Sequence, residues 1–192
     1  LAVELAEALG GEIVSADSRQ VYVGMDIGTA KPTLEERGRV PHHLVDIKQP
    51  QETLTLGEYM QLATAAIADV HHRGKLPVLV GGTGQYVTAV VEGWQVPEVP
   101  PQPALRAGLE ALAAAEGAEA VHARLAELDP ESAARIDARN LRRVIRALEV
   151  TMVTGKPFSS LRVRTGPAYH LVQMGLTQPR PVRYASRIPA RP

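Results

Sequence analysis

Short apolar runs alternate with amphipathic stretches through the first half of the chain. The runs are rich in Val, Ile and Leu and are bounded by glycine or polar residues, which is typical of buried strands. The predicted elements are a helix at 1–9, strands at 12–16, 43–47 and 76–80, a helix opened by Thr55 and Glu58, and a helix at 85–92. Because alternating strands and helices favour a parallel sheet, residues 1–95 are predicted to form an α/β core.

The pattern changes at 95–103, where four prolines fall within nine residues and predict an extended, stiff linker. Beyond the linker only helical periodicity is found. The predicted helices are 104–116, 119–128, 131–137 and 140–154. Residues 104–160 are therefore predicted to form an all-α lobe, appended to the core or inserted in it. Residues 161–192 are expected to return to the core and then to end in a tail without periodicity.

Composition narrows the classes of protein that fit. The 192 residues include no cysteine, which excludes a disulfide framework and a thiolate zinc site. No apolar run approaches the roughly 18 residues of a membrane span and no signal peptide is visible, so a cytoplasmic protein without a membrane partner is expected. The paired histidines at 42–43 and 71–72 lack a third ligand at useful spacing, so no protein-bound metal is predicted. Leu1 already lies within a helical pattern, so the chain is expected to be a fragment.

The net charge of zero conceals an uneven distribution of charge. Residues 150–192 contain seven Lys and Arg and no acid, whereas residues 1–149 contain all 21 acidic residues. An acid-free basic segment is a candidate contact for a polyanion, and a solvated basic tail is the alternative interpretation.

Polar residues follow two of the predicted strands directly. Asp17 comes after strand 12–16, and Thr83 lies in the Gly-rich turn after strand 76–80. In open α/β sheets ligands bind outside the carboxyl ends of the strands, so both side chains are expected on one rim. Asp17 is a candidate general base, metal ligand or helix-capping residue, with a simple cap or turn former as the alternative interpretation. The glycines around Thr83 indicate either a phosphate cradle or a tight turn. Lys31 is expected to be an exposed loop lysine, with a phosphate contact as the alternative.

Four arginines recur near the start of the last predicted helix. Arg139, Arg142, Arg143 and Arg146 have the spacing i, i+3, i+4 and i+7, which predicts that they share one helix face. No acid lies among residues 139–146, so the guanidinium groups are expected to bind an anion such as the phosphate or RNA backbone. A solvated face is the alternative.

Seven stretches of the chain have an order and spacing that resemble one family. They are 15–22 (SADSRQVY), 25–32 (MDIGTAKP), 41–46 (PHHLVD), 80–86 (VGGTGQY), 129–136 (DPESAARI), 142–150 (RRVIRALEV) and 154–157 (TGKP). The family is that of the tRNA dimethylallyltransferases, also called isopentenyl-tRNA transferases. The resemblance extends over about residues 1–178, and the series as a whole is highly specific.

The resemblance implies a P-loop-NTPase-like parallel sheet core with a helical lobe that grips the anticodon arm of tRNA. The implied reaction transfers a dimethylallyl group from dimethylallyl diphosphate to the exocyclic amine of the adenine just 3′ of the anticodon, with Mg²⁺ as cofactor. Asp17 matches the family's base, and Thr83 matches its catalytic threonine. The matches to tRNA-binding residues are Asp17, Ser18, Arg19, Gln20, Arg106, Arg142, Arg143, Val144, Ile145 and Arg146.

One part of the family pattern has no match in the chain. Family members begin with a strand and a Gly-rich phosphate loop that ends in Gly-Lys-Ser/Thr, whereas this chain starts just after that point. The diphosphate-binding loop is therefore absent, and the chain, expected to be a monomer, is predicted to be inactive alone. Two other interpretations stay open: a non-catalytic RNA-binding fragment, and a P-loop-type small-molecule kinase in which Asp17 activates a hydroxyl.

Overall fold

The computed structural model of the chain describes residues 1–95, 97, 99–161, 166 and 169–175. Its strands are β1 (Glu12–Ser15), β2 (His42–His43) and β3 (Pro77–Val80). Its helices are α1 (Ala2–Ala8), α2 (Leu34–Arg39), α3 (Leu56–His72), α4 (Gly84–Val91), α5 (Pro103–Glu116), α6 (Ala118–Leu128), α7 (Pro130–Arg135) and α8 (Leu141–Thr154), followed by a 3₁₀ turn at Phe158–Leu161. Most predicted elements therefore form within one or two residues of their expected bounds.

The three strands form one parallel sheet in the order β2-β1-β3. All four residues of the central strand β1 are buried, including the carboxylate of Glu12. That carboxylate accepts hydrogen bonds from Lys75 Nζ at 2.8 Å and from the Arg73 guanidinium, and it lies 2.7 Å from His43 Nε2, so its burial is compensated by cationic partners. Parallel strands flanked by helices confirm the predicted α/β fold class.

Helix α3 packs against the sheet and makes a hydrogen bond to the last residue of β1. Its N-terminus is capped by Thr55, whose side-chain oxygen accepts from the backbone N–H of Glu58 at 3.2 Å. The fully buried Tyr59 stacks on Tyr86 of α4, with ring centroids 3.8 Å apart, and its hydroxyl donates to the carbonyl oxygen of Ser15 at 3.2 Å. One aromatic pair thus joins α3, α4 and the end of β1.

Two local predictions differ from the structure. The strand expected at 43–47 ends at His43, because Leu44 and Asp46 have φ of 63° and 56°, and left-handed backbone does not continue a strand. Helix α2 was not predicted from the apolar pattern, since none of its residues is buried. It is instead stabilised by a capping box, in which Thr33 accepts from Glu36 N while the Glu36 carboxylate accepts from Thr33 N.

Helices α5 to α8 pack around their own hydrophobic cluster. Its fully buried members include Val121 and Leu125 of α6 and Val144 and Leu148 of α8. The buried carboxylate of Asp129 caps α7 by accepting from Ser132 N at 3.1 Å and also accepts from Ser159 N at 2.8 Å and Ser159 Oγ at 2.7 Å. This carboxylate therefore ties the 3₁₀ turn to the helices, while the exact division of the chain into lobes stays a prediction.

The last part of the chain is described only in pieces. Tyr169 packs against the α/β core, with its ring centroid 5.6 Å from that of His71. Most of the predicted tail at 161–192 lies outside the described residues, including all of 176–192. Among the residues that are described, no helix has both the length and the apolar content needed to cross a membrane.

Candidate functional site

The loops that follow β1 and β3 meet at the carboxyl edge of the sheet. The backbone N–H of Thr83 donates to the carbonyl oxygen of Ala16 at 3.1 Å. A Cβ atom on Gly81 would lie 2.1 Å from the carbonyl carbon and oxygen of Ala16, a distance that no side chain tolerates. Glycine at position 81 is therefore what allows the second loop to approach the first.

Asp17 divides its two carboxylate oxygens between two roles. Oδ1 accepts from the backbone N–H of Arg19 at 2.8 Å and from that of Gln20 at 3.4 Å, which closes a turn after β1. Oδ2 has no hydrogen-bond partner among the described residues, and it lies 3.4 Å from where a Cβ on Gly82 would be. The turn-forming interpretation describes one oxygen, whereas the other makes no hydrogen bond with the described residues.

Thr83 connects the two loops through its hydroxyl. Its Oγ1 accepts from the backbone N–H of Ser18 at 2.8 Å and donates to Ser18 Oγ at 3.1 Å. Thr83 is also the residue before α4, but its side chain makes no capping bond to that helix. The Thr83 hydroxyl therefore holds the Asp17 turn in place. The carboxylate of Asp17 and the hydroxyls of Ser18 and Thr83 lie together at the carboxyl edge of the sheet.

The other predicted residues of this segment differ in how free they are. Gln20 is fully engaged, because its Oε1 accepts from Ser15 Oγ at 3.1 Å and its Nε2 donates to the carbonyl oxygen of Ala30 at 2.9 Å. Arg19 is exposed, and its side chain has no hydrogen bond or ion pair with the described residues. Of these two, only the Arg19 side chain is available for a partner without rearrangement.

Lys31 is not the exposed loop lysine that the sequence favours. Its side chain is 3% exposed, and Nζ lies 2.6 Å from Asp46 Oδ1, 2.7 Å from Asp26 Oδ1 and 2.7 Å from the carbonyl oxygen of Tyr22. Burial lowers the pKa of Lys31, but the hydrogen bonds and charges of the two aspartates outweigh it, and the pKa is raised. The ammonium group therefore closes the loop onto itself instead of reaching a phosphate.

A cleft of about 450 Å³ lies on the helical part of the molecule, between α5 and α8. Its lining residues are Arg106, Glu110, Leu141, Arg142, Ile145 and Arg146. Four of the predicted tRNA-binding residues thus share one cavity, three of them arginines. Arg143 is exposed but does not line it, and Val144 is fully buried in the helical core, so the side chain of Val144 does not reach the surface.

The carboxylate of Glu149 lies beneath the arginines of this cleft. It is 0% exposed and accepts hydrogen bonds from Arg106 Nε at 2.7 Å, Arg106 Nη2 at 2.8 Å, the backbone N–H of Gln102 at 2.7 Å and Arg146 Nη1. The hydrogen bond from Arg106 lowers the pKa of Glu149 more than burial raises it, with help from Gln102 and Arg146, to about 2. Sequence reasoning missed this residue, although an acid inside the apolar run 147–150, three positions after Arg146, is a signal that marks it.

The four arginines do not act as one helix face, which corrects the sequence prediction. Helix α8 begins at Leu141, so Arg139 lies before it and pairs instead with Asp137, with Nη2 and Oδ2 2.6 Å apart. Arg146 pairs with Glu149, a carboxylate that it shares with Arg106. Arg142 and Arg143 are the two that are exposed and make no hydrogen bond or ion pair with the described residues.

The described residues offer no cage for a metal ion. No group of three or more His, Cys, Asp or Glu side chains within 1–95, 99–161 or the short described segments that follow is placed to hold one. The open oxygen of Asp17 alone provides a single ligand, fewer than a protein-held magnesium or zinc site requires.

Comparison with known proteins gives consistent matches. A family model described as IPP transferase matches residues 20–191. The chain is 60% identical over 191 residues to a tRNA dimethylallyltransferase of a Roseiflexus species and 56% identical over 185 residues to one of Chloroflexus aurantiacus. These alignments cover 100% and 96% of this chain but only 62% of each relative. The chain thus spans about 62% of the length of these curated relatives.

A solved structure described as a eukaryotic dimethylallyltransferase acting on tRNA is similar with a TM-score of 0.70 and 31% sequence identity. The match covers 83% of this chain and 40% of that protein. The likeness confirms the predicted fold class, a P-loop-NTPase-like parallel sheet core joined to helices.

Proposed function

The chain belongs to the IPP transferase family, and from that premise we propose that it forms part of an enzyme that prenylates tRNA. The reaction moves a dimethylallyl group from dimethylallyl diphosphate to the exocyclic amine of the adenine 3′ of the anticodon. The observation that carries this proposal is the open Oδ2 of Asp17 beside the Thr83 hydroxyl at the carboxyl edge of a parallel sheet. The names of the Roseiflexus and Chloroflexus relatives support the choice of reaction.

Asp17 acts as the base in this proposal. An adenine amine is a poor nucleophile because its lone pair is delocalised into the ring, so a proton must leave as the new bond forms. The amine nitrogen bonds to the allylic carbon, the bond between that carbon and the diphosphate oxygen breaks with its electrons, and the amine proton goes to Asp17 Oδ2. The two backbone N–H groups on Oδ1 fix the direction of Oδ2 before substrate binds.

Thr83 has a positioning part and a direct part in the proposed reaction. Its hydroxyl fixes Ser18, and therefore the turn that carries Asp17. The hydroxyl proton points to Ser18 Oγ, so Thr83 and Ser18 together leave one hydroxyl proton available to a departing diphosphate oxygen. Small glycines on both sides of Thr83 let that oxygen approach the backbone closely.

Magnesium is proposed as the cofactor, on the chemistry of the diphosphate. Mg²⁺ is usually held by substrate phosphates, water and one or two carboxylates instead of an all-protein cage. The described residues contain no group of three or more side chains that could hold the ion by themselves, so the diphosphate would supply most of its ligands. We assign no step of the reaction to the ion.

The helical cleft is proposed to bind the anticodon arm of tRNA. Arg142 and Arg143 project free guanidinium groups, and Arg106 and Arg146 line the cleft from two helices. Such groups bind phosphates strongly and largely independently of the nucleotide sequence. They can therefore hold the tRNA stem while the target base leaves its stack. The protein is proposed to act in the cytoplasm as a monomer. Light scattering of the purified chain tests the monomeric state.

The test of the proposed function uses a chimera in which residues 1–192 replace the matching segment of the Roseiflexus relative. Labelled dimethylallyl diphosphate is supplied with a tRNA that carries adenosine 3′ of the anticodon, or with one that carries inosine there, which lacks the amine. We expect label in the first tRNA and none in the second. Binding of tRNA without transfer by the chimera would favour the non-catalytic RNA-binding interpretation instead.

A further inference from the structure

Glu149 has a place in the molecule that neither its sequence neighbours nor the reaction explains. It lies on α8 among apolar residues and is the one fully buried carboxylate of the described residues that touches two arginines of the cleft. Its four hydrogen-bond donors come from α5, from the segment before α5 and from α8 itself. Arg146 extends this contact, because its Nη1 also donates to the carbonyl oxygen of Val99 at 3.0 Å. Three parts of the chain therefore meet at one side chain.

The arginines keep donors that Glu149 does not use. Arg106 engages Glu149 through Nε and Nη2, which leaves Nη1 free, and Arg146 engages it through Nη1, which leaves Nε and Nη2. Both side chains remain about one third exposed toward the cleft, at 38% and 33%. Each guanidinium plane is thus fixed on its inner edge and open on its outer edge.

We propose that Glu149 is a positioning residue for RNA binding, which holds Arg106 and Arg146 so that their outer N–H groups face the phosphates of a tRNA stem. The inference rests on the proposed function, since it takes RNA as the ligand of the cleft. Fixing two long side chains in advance removes the rotamer entropy that they would otherwise lose on binding. It also holds each planar guanidinium group in one orientation, whereas the guanidinium group of a freely rotating arginine has none.

The proposal predicts a change in RNA affinity opposite in sign to the change that net charge alone predicts. A buried carboxylate beneath a basic cleft reduces the positive potential, so its removal by itself strengthens the attraction of a polyanion. If Glu149 orients the arginines, its neutralisation weakens RNA binding although the net charge becomes more positive. The other acid of the cleft, Glu110, provides the matched control, because it is exposed and acts on Arg106 through its charge without a hydrogen bond to the described residues.

The experiment measures the affinity of the 192-residue chain for a synthetic tRNA anticodon stem–loop over a series of salt concentrations. Glu149→Gln is expected to weaken binding about tenfold, the loss of one well-placed charge-assisted contact. Glu110→Gln, with the same change in net charge, is expected to bind as tightly as the wild type or more tightly. Equal affinities for the two variants would overturn the inference and leave the proposed function intact. Absence of binding by the wild type would overturn both.

Two further variants separate positioning from support of the fold. Arg106→Lys preserves the charge but cannot form the two-pronged contact with Glu149, so it is expected to bind RNA more weakly at unchanged net charge and unchanged helix content. In an Arg106→Gln background, Glu149→Gln is expected to cost less affinity than it does alone, because half of its action is already lost. Full additivity of the two substitutions would contradict a positioning role. Wild-type affinity of Arg106→Lys would contradict it as well, and this variant remains a test if Glu149→Gln fails to fold.

Discussion

Two carboxylates, Asp17 and Glu149, organise the two parts of this molecule in opposite ways. Asp17 is partly exposed, held by two backbone N–H groups on one oxygen, with the other oxygen open. Glu149 is fully buried, and both of its oxygens are occupied by donors. A carboxylate with spare acceptor capacity at a strand edge is suited to take up a proton, whereas a saturated one is suited to hold other side chains in place. The same chemical group is thus suited to different purposes according to how many donors surround it.

The largest expected effect is on turnover, from a substitution that changes the open carboxylate only. Asp17→Asn in the chimera preserves an oxygen that accepts from Arg19 N and Gln20 N but removes the base. Prenyl transfer is expected to fall about 10²–10⁴-fold, while tRNA affinity changes little. Single-turnover rates and binding measurements check both quantities, with Glu35→Gln, an exposed acid of α2, as the charge-matched control. A rate within about threefold of the wild type would show that Asp17 only closes the turn.

The next largest effect is expected from Glu149, which should make the free energy of unfolding depend on pH. The pKa of Glu149 in the folded protein is about 2, below its ordinary value of 4.5. The folded state therefore binds this proton less readily, and the stabilisation is complete above about pH 4.5 and is lost as the pH falls toward 2. Between pH 7 and pH 3 the difference in unfolding free energy between wild type and Glu149→Gln should narrow by about 2 kcal/mol. Urea titrations at both pH values measure it, and a constant difference would contradict the assignment.

A smaller effect is expected from the hydroxyl that joins the two strand-end loops. Thr83→Ala removes both hydrogen bonds to Ser18 and should lower turnover of the chimera about tenfold, since the cost of such contacts is about 1–1.5 kcal/mol. Thr83→Ser keeps the hydroxyl and is the control, expected within about threefold of the wild type. Turnover that survives in the alanine variant while its melting temperature drops would mean that the turn is only structural.

The smallest effect should come from the two free arginines, in contrast with the two that Glu149 holds. Arg142→Gln/Arg143→Gln is expected to weaken tRNA binding about three- to tenfold without changing which tRNA is preferred. Each lost phosphate contact should also make the log–log dependence of affinity on salt shallower by about 0.7–0.9. The control is Arg124→Gln/Arg135→Gln, which changes the net charge equally at exposed sites outside the predicted interface. Identical slopes for wild type and the Arg142/Arg143 variant would favour a solvated face.

Elements with regular apolar spacing were predictable from the sequence. Helix α3 forms close to its expected bounds, because a buried stripe specifies both the element and its face. The half-buried strand β3 forms where the continuous apolar run 76–80 predicts it. The short β2 was less predictable, since it ends at left-handed residues stabilised by contacts from elsewhere in the fold. Asp46, one of these residues, is held by Lys31 and by Arg37 of α2.

For the candidate site, sequence reasoning identified the strand ends but not how their side chains are used. The proximity of Asp17 and Thr83 follows from the parallel sheet, which brings carboxyl ends to one edge. The roles of Glu149 and Lys31 depend on partners brought together by folding, 43 residues away in the case of Arg106. Periodicity carries no information on such contacts, so helix α8 was predicted well and the pairing of its arginines was not. The roles assigned to Asp17 and Thr83 in catalysis stay predictions.

The buried ammonium of Lys31 has a consequence for the loop that precedes it. Lys31 Nζ bonds the carbonyl oxygen of Tyr22, and Gln20 bonds that of Ala30, so the loop is fastened where it starts and where it ends. Its tip is fully open to solvent, with Ile27 99% exposed. A protease that nicks the tip should therefore leave two ends that stay attached, and an amine-reactive label should spare Lys31 while it modifies exposed lysines. The Asp17 turn is therefore expected to keep its shape after a nick at the tip, because the bond between Gln20 and Ala30 lies away from the cut.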